Sequence, residues 1–272
     1  MIFLFGENWN LGTTAVVVMN FQEQITEYAR LRTDPHPCNY LPAQTAVMDY
    51  RIVREITPTA YHELLRRGWR RFGRSIFRPT CPNCTQCISL RLDLARFEPT
   101  RSQRRALAAN ENIRVVVQRP SLSRDHLQLF DRYHQFMAGH RGWKEKETSP
   151  AHYYQGFVDG EWPFAREFLY FEGDHLLGVA LVDVLPQAVS SIYFFYDPEW
   201  RPRSPGVYSI MKTAEVARQA GARHQYLGYW VGGCPSLSYK SNYHPHERLL
   251  AYPAEHEEPV WQEVTLEAPL NS

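Results

Sequence analysis

The fold is decided by one continuous stretch of the chain, AVSSIYFFYDPEWRPRSPGVYSIMKTAEVARQAGARHQYLGYWV at residues 188–231. Its first part is rich in β-branched and aromatic residues as far as Tyr196, which predicts a strand. After a Pro-rich loop, residues 206–221 predict a long helix that ends at Gly221, because glycine is favoured just beyond a helix C-terminus. Residues 224–231 predict the next strand. This order indicates a mixed α/β domain.

The residues before this stretch extend the same pattern. Two apolar runs, REFLYFEG at 166–173 and HLLGVALVDVLP at 175–186, predict strands that form a meander with the strand ending at Tyr196. Two helices are predicted further upstream. One lies at 123–137 and carries apolar residues at helical spacing, and the other begins after Ser149. This plan resembles that of the GCN5-related N-acyltransferases.

The loop before the long helix bears on the acyl donor. In the acyltransferase fold that it resembles, this loop binds the pyrophosphate of coenzyme A at the helix N-terminus. Here residues 201–206 read RPRSPG, in which the first expected glycine is missing and Pro205 removes an N–H donor. We therefore expect an acyltransferase sheet with an acyl donor other than coenzyme A.

The N-terminal half predicts a smaller unit. VMDYRIVREI at 47–56 predicts a strand, Thr57 precedes a helix that opens with Pro58, and CISLRLDL at 87–94 predicts another strand. The polar run at 95–105 marks a boundary. We predict three parts: an N-terminal extension at 1–30, a Cys- and Arg-rich domain at 31–100 and an acyltransferase-like domain at 101–272.

Length and composition exclude several classes of protein. The chain has 272 residues, of which 44% are hydrophobic and 22% charged, and this suits a globular protein of two domains. No apolar run approaches 18 residues, so we expect no membrane partner. The N-terminus has no basic residue before its apolar stretch, which argues against a secretory signal. Hydrolase, zinc-protease and nucleotide-binding loop motifs are also missing.

Positive charge is concentrated in one region. Residues 51–105 contain thirteen arginines and no lysine, against four acidic residues. The planar guanidinium group suits phosphate and carboxylate, so this region predicts a partner that carries such groups. The alternative is that these arginines form ion pairs within the protein.

Four cysteines predict a metal site. Cys81, Cys84 and Cys87 follow a C-x2-C-x2-C pattern, and Cys38 is the obvious fourth ligand for structural zinc or an iron–sulfur cluster. The alternative is a metal-free group of reduced thiols, and Cys234 is expected to lie apart. Clustered cysteines without a secretory signal also favour a reducing, cytoplasmic setting.

Several separate motifs resemble the aminoacyl-tRNA–protein transferases. GWRRFGRSIFRPTCPNCTQCISLRLDLARFEPTRSQRR at 68–105 resembles the N-terminal signature of that family. SIYFFYDPEW at 191–200 and YLGYWVGGCPSLSYKSNYHPHE at 226–247 are similar to its C-terminal half. PCNYLP at 37–42 has the single cysteine of the bacterial leucyltransferase form. The resemblance covers most of the chain.

The resemblance implies an enzyme that transfers leucine, or alternatively arginine, from charged tRNA to proteins that begin with Asp or Glu. Such transfer marks those proteins for N-degron degradation. More distant alternatives are an acyl-coenzyme A N-acyltransferase and a non-catalytic, metal-bearing RNA-binding protein. The chain departs from the family pattern at 138–143, at 204–206 and at 236–237, which bears on the choice of donor.

The chemistry of this transfer requires no cofactor, because the aminoacyl ester is already activated and the protein has mainly to position two reactants. The 3′ end of tRNA is single-stranded and polyanionic, which suits arginine and aromatic side chains. Our candidates for tRNA contact are Arg101, Gln103, Arg104, Arg105 and Lys240. The alternative is that Arg104 and Arg105 pair with neighbouring acids.

The acceptor brings a carboxylate and an amine. Arg78 and Arg91 lie on either side of the cysteine run, and we expect one of them to bind the carboxylate; the alternative is an ordinary strand-edge arginine. For proton transfer we select Asp197, which follows an aromatic strand, together with Tyr193. Asp197 could instead only cap a turn. His134 lies on an apolar helical stripe and is interpreted as a packed residue.

Overall fold

The computed structural model describes residues 24–143 and 148–265. A small antiparallel sheet begins the described chain, and helix α1 (Pro58–Arg66) packs beside it. A two-stranded ribbon of β2 (His36–Pro37) and β3 (Thr45–Ala46) adjoins this sheet in sequence. The small sheet has the order β1-β4-β6-β5, with the strands β1 (Ile25–Arg32), β4 (Met48–Ile56), β5 (Arg70–Phe72) and β6 (Ser75–Pro79).

A mixed sheet of eight strands forms the centre of the molecule, with the order β14-β13-β7-β12-β11-β10-β9-β8. Its strands are β7 (Ile88–Asp93), β8 (Arg114–Gln118), β9 (Ala165–Glu172), β10 (His175–Leu185), β11 (Ala188–Tyr196), β12 (His224–Trp230), β13 (His246–Leu249) and β14 (Trp261–Val264). The remaining helices are α2 (Arg101–Ala108), α3 (Arg124–Arg141), α4 (Pro150–Tyr153) and α5 (Pro205–Gln219).

The connection predicted from residues 188–231 is confirmed. Strands β8 to β11 form an antiparallel meander, α5 follows, and β12 returns parallel to β11. The protein is therefore of the α/β class with a mixed sheet, as predicted. No helix among the described residues is long and apolar enough to cross a membrane.

The strand β7 joins the two halves of the chain. It is hydrogen-bonded to β12 on one side and to β13 on the other, so residues before 100 supply a strand to the large sheet. The predicted division of the chain near residue 100 stays a prediction. Most of the predicted extension at 1–30 lies outside the described residues, and its last residues, from Ile25, belong to β1.

Helix starts follow from capping side chains. Thr57 accepts a hydrogen bond from the amide of Ala60 at the start of α1. At α2, Thr100 accepts from the amide of Gln103, and the side chain of Gln103 accepts in return from the amide of Thr100. At the start of α3, the side chain of Ser123 accepts a hydrogen bond from the amide of His126. The buried face of that helix includes Leu129, Tyr133 and Met137.

The arginine-rich region is largely neutralised within the protein. Acidic residues near the C-terminus reach back to it: Glu247 pairs with Arg91 at 2.6 Å and Glu258 with Arg66 at 3.2 Å. The alternative of internal ion pairs is therefore confirmed for much of this region. Ion pairs hold Arg51, Arg54, Arg66, Arg67, Arg71, Arg74, Arg91 and Arg96.

Candidate active site

Two parallel strands separate at the centre of the large sheet. Strand β11 pairs with β12 only where residues 188–190 face residues 224–226, although β11 continues to Tyr196 and β12 to Trp230. The register of β11 against β10 also shifts at Ile192, so β11 carries a bulge there. Carboxyl ends of neighbouring parallel strands are where α/β sheets bind ligands. This separation is the candidate active site.

An aromatic cluster lies beside this separation. Tyr193 of β11 is 5.5 Å from the ring of Phe157 and 6.2 Å from the ring of Phe130 on α3. Phe72 comes from β5 of the small sheet and lies 6.2 Å from Tyr193, with 37% of its surface exposed. The cluster therefore presents apolar rings where the two sheets meet.

Tyr193 is hydrogen-bonded to a histidine. Its hydroxyl lies 3.0 Å from Nε2 of His134, and Nδ1 of His134 lies 2.8 Å from the carbonyl oxygen of Phe130. Burial raises the pKa of Tyr193 above its ordinary value, so the phenol stays protonated. The structure thus brings the predicted Tyr193 together with His134, which the sequence had indicated only as a packed residue.

Asp197 is fully engaged in structural contacts. Its carboxylate accepts from the amide of Glu199 at 3.0 Å and from Arg132 at 2.9 Å, and His175 lies 3.3 Å away. It also caps the short helical turn Pro198–Arg203. These contacts support the turn-capping alternative and give no support to Asp197 as the base.

The two arginines predicted to bind the acceptor differ in their surroundings. Arg91 donates to Glu247 at 2.6 Å and to the hydroxyl of Tyr226 at 3.2 Å, so a carboxylate already neutralises it. Arg78 donates to the carbonyl oxygens of Arg67 and Pro253 at 3.2 and 3.0 Å. Within the described residues Arg78 forms no ion pair, and burial lowers its pKa. Of the two, Arg78 is the one with no carboxylate at ion-pair distance among the described residues, although the charges of Asp49 and Glu255 act on it from further away.

Arg70 has a similar environment and was missed by the sequence analysis. It is buried and donates to the hydroxyl of Ser89 at 2.8 Å, while its Nε and Nη1 have no hydrogen-bond partner in the described structure. Its guanidinium lies over the rings of Tyr226 and Tyr229. Both Arg70 and the adjacent Arg71 are buried, but only Arg71 is paired with a carboxylate, that of Asp183, and the sequence gives no signal for this difference.

Lys240 is placed in the interior and not at the surface. Its amine donates to the carbonyl oxygen of Tyr229 at 2.8 Å. Burial, followed by the charge of Arg70, lowers the pKa of Lys240 to about 7. A direct contact of Lys240 with tRNA phosphate is therefore not supported by this geometry.

The remaining tRNA candidates lie on or near α2. Arg101, Arg104 and Arg105 are exposed and form no ion pair among the residues described, so the alternative that Arg104 and Arg105 pair with acids is not what the structure shows. Arg104 donates to the carbonyl oxygen of Pro99. Gln103 is buried and caps the helix, which is a structural contact.

Four of the five cysteines are partly buried, and Cys234 is buried. Burial raises the pKa of Cys87 to about 12, and the charges of Cys38, Cys81 and Cys84 raise it further. That Cys234 lies apart from the other four stays a prediction. Within 24–143 and 148–265, however, no three His, Cys, Asp or Glu side chains are arranged to hold a metal ion. The structure gives no support to the predicted zinc or iron–sulfur site.

Comparison with known proteins identifies the family. The family described as arginine-tRNA-protein transferase matches this chain with its N-terminal part at residues 36–105 and its C-terminal part at 125–250. These matches define a transferase. The chain belongs to the arginine-tRNA–protein transferase family, as the resemblance had implied.

Curated relatives match along most of their length. The aspartate/glutamate leucyltransferase of Helicobacter hepaticus is 36% identical over 225 residues, which cover 83% of this chain and 93% of the relative. That of Campylobacter jejuni is 39% identical over 212 residues, or 78% and 89% of the two chains. That of Pseudomonas aeruginosa is 35% identical over 227 residues, or 82% and 95%.

Solved structures show a distant likeness. L-PGS from Bacillus licheniformis is 16% identical with a TM-score of 0.40, over 75% of this chain and 62% of that one. FemX is 12% identical with a TM-score of 0.40, over 77% and 81%. The fold class stated above rests on the strand order of this chain itself.

Proposed function

We propose that this protein transfers leucine from charged tRNA to the α-amino group of proteins that begin with Asp or Glu. The observation that carries this proposal is the identity of 35–39% to relatives named aspartate/glutamate leucyltransferase, over about four-fifths of this chain. The description of the family names arginine, and arginine is therefore the second candidate donor. Leucine is preferred because these relatives carry that name.

The reaction exchanges one acyl bond for another. The neutral amine of the acceptor attacks the ester carbonyl carbon, an amide bond forms, and the ester C–O bond to the terminal ribose breaks. The tRNA hydroxyl leaves with a proton, and no atom changes its oxidation state, so the step needs no redox cofactor. The apolar rings of Phe72, Phe130 and Phe157 around Tyr193 suit the leucyl side chain.

For the acceptor carboxylate we assign Arg78. Its charge is not neutralised by any ion pair among the described residues, and Arg91 is already held by Glu247. A charge-assisted contact contributes roughly 1.5–3 kcal/mol, enough to discriminate Asp from Asn at the acceptor N-terminus.

For the tRNA we assign the exposed face of α2. Arg101, Arg104 and Arg105 are exposed there without acidic partners in the described part of the chain, which suits a phosphate backbone. Because charged tRNA is used in the cytoplasm, we place the activity there. The modified proteins then carry a new N-terminal leucine as a degradation signal.

A transfer assay with a panel of donors and acceptors tests this proposal. Purified protein is mixed with leucyl-, phenylalanyl- or arginyl-tRNA and with peptides that begin with Asp, Glu, Asn or Ala. We expect transfer from leucyl-tRNA to the Asp and Glu peptides, and at least tenfold less to the Asn peptide. Preferred use of arginyl-tRNA would show that arginine, and not leucine, is the amino acid transferred. Equal transfer to the Asp and Asn peptides would exclude a requirement for an acidic N-terminal residue.

A further inference from the structure

We propose that His134 and Tyr193 form a proton relay for the transfer, in which the Tyr193 hydroxyl faces the incoming amine and His134 holds the proton. This inference rests on the proposed function, because it names the residues that accept and return the proton of that reaction. Tyr193 is then a catalytic residue, and His134 is a positioning residue that acts through it.

The hydrogen bonds fix the direction of this relay. A carbonyl oxygen can only accept, so the 2.8 Å contact with the carbonyl of Phe130 requires a proton on Nδ1 of His134. In the neutral imidazole, Nε2 then carries no proton and accepts from the hydroxyl of Tyr193 at 3.0 Å. Within the described residues the Tyr193 hydroxyl has no other hydrogen-bond partner, so the lone pairs of its oxygen remain available to a third group.

The His134–Tyr193 pair lies where a substrate can reach it, at the candidate site and not deep in the core. Tyr193 follows the bulge of β11 at Ile192, beside the separation of β11 and β12. Both side chains are only partly buried, and the partly exposed Phe72 lies next to Tyr193. Both nitrogens of His134 are hydrogen-bonded, so the imidazole is held in one orientation toward Tyr193.

The surroundings of the pair favour a proton path through Tyr193 and His134. Around the pair the contacting rings are aromatic, from Phe130, Tyr133 and Trp143, and burial raises the pKa of Tyr193. The acid predicted for the task, Asp197, is held by Arg132 and by the amide of Glu199. The phenol therefore stays protonated and passes a proton on without forming a stable phenolate.

The relay can be written with its protons balanced. As the amine nitrogen bonds to the ester carbonyl carbon, it gives a proton to the oxygen of Tyr193, and the phenolic proton moves to Nε2 of His134. The imidazolium keeps its Nδ1–H bond to the carbonyl of Phe130. When the ester C–O bond breaks, the proton returns through Tyr193 to the ribose oxygen that leaves.

Single-turnover transfer with the full-length protein tests the relay. The variants are Tyr193→Phe, His134→Gln and the double variant, with leucyl-tRNA and an Asp-initiated peptide at saturating concentrations. Positioned proton transfer contributes roughly 10²–10⁴-fold, so we expect each single variant to lose at least 100-fold in rate. We expect the double variant to be no slower than the slower single variant, because residues that act as a unit are not additive.

His134→Gln separates proton uptake from simple positioning. The glutamine amide oxygen reaches the place of Nε2 and can accept from Tyr193, but it does not take up a proton. A rate within threefold of wild type for His134→Gln would overturn the relay. Peptide and tRNA affinities are expected to stay unchanged in all three variants, and additive losses with weakened binding would indicate a packing contribution only.

The matched control is His256→Gln. His256 is exposed in the segment between β13 and β14, outside the residues assigned to the site, so the transfer rate of this variant is expected to equal that of wild type. Tyr193→Phe keeps the aromatic ring and its packing, so this variant is expected to fold. It therefore still tests the relay if His134→Gln does not fold. If the wild-type protein transfers no amino acid from any charged tRNA, the proposed function is refuted. If the wild type and the Tyr193 and His134 variants are all active, only the relay is refuted.

Discussion

His246 is a buried histidine that the fold keeps neutral. Its Nδ1 donates to the carbonyl of Tyr243 at 2.7 Å, and its Nε2 accepts from Arg248 at 3.2 Å. Burial, together with the charges of His244 and Arg248, lowers the pKa of His246 to about 4. Between pH 6.5 and 4 the unfolded chain therefore binds more protons at this residue, and the free energy of unfolding falls as the pH is lowered.

His246→Asn is expected to make stability less dependent on pH across that range. The asparagine amide can still donate to the carbonyl of Tyr243, but it does not titrate. The difference from wild type between pH 6.5 and pH 4 is expected to be about 1–3 kcal/mol, measured by urea unfolding at each pH. The exposed His256→Asn is the control, and an equal change in both variants would contradict this account.

At the candidate site, the sequence indicates which residues stand near a predicted strand end, but not which contacts their side chains make. Tyr193 was selected because it stands on the aromatic strand before the Asp-Pro turn, and the structure places it at the separation of β11 and β12. His134 was interpreted as packed because helical spacing shows a face but not a hydrogen bond. Arg70 could not be distinguished from Arg71, since only tertiary contacts decide which guanidinium meets a carboxylate.

At the scale of elements, an ion pair attaches the small sheet to the large one. Arg71 of β5 donates to Asp183 of β10 at 2.8 Å, and both side chains are buried. Removing one partner leaves a buried charge, which costs about 3–5 kcal/mol. We therefore expect Arg71→Met to lower the free energy of unfolding by that amount in urea denaturation.

The control for this prediction is Arg74→Met. Arg74 pairs with Asp159 at 2.9 Å, but about one third of each side chain is exposed, so its loss should cost about 1 kcal/mol or less. The double variant Arg71→Met with Asp183→Leu should recover much of the lost stability. Equal effects of Arg71→Met and Arg74→Met would show that burial of the Arg71 pair is not what matters.

Most elements could be predicted because their signals are local. The strand at 47–56 alternates, and Thr57 with Pro58 marks the start of α1. The partner of a strand is not a local property, and the pattern of β7 therefore did not reveal that it lies between β12 and β13. β14 was missed because its residues WQEV carry little apolar pattern, although Trp261 packs against the core.

At the scale of the whole molecule, the acidic C-terminal region covers the arginine-rich one. Glu255 lies 3.6 Å from Arg51, Glu258 pairs with Arg66, and Glu263 pairs with Arg96. These carboxylates reduce the attraction of this surface for RNA in general. Under the proposed function, specific binding of tRNA is assigned to the arginines of α2, which have no acidic partner in the described structure.

Neutralising these three acids should therefore increase non-specific RNA binding. In the variant Glu255→Gln, Glu258→Gln, Glu263→Gln, we expect tighter binding of a random single-stranded RNA and a steeper decrease of log K with log salt. The slope should grow by about 0.7 for each phosphate newly neutralised. The measurement is a titration by fluorescence anisotropy at several salt concentrations.

A control of equal net charge separates a local effect from a global one. Glu111, Asp174 and Glu199 are exposed and form no ion pair within the described residues, so Glu111→Gln, Asp174→Asn, Glu199→Gln adds the same charge without releasing an arginine. Because exposed charges more than about 10 Å apart are largely screened at 0.1 M salt, this control should change the slope much less. Equal slopes in the two triple variants would mean that total charge, and not the C-terminal cover over the arginines, governs RNA binding.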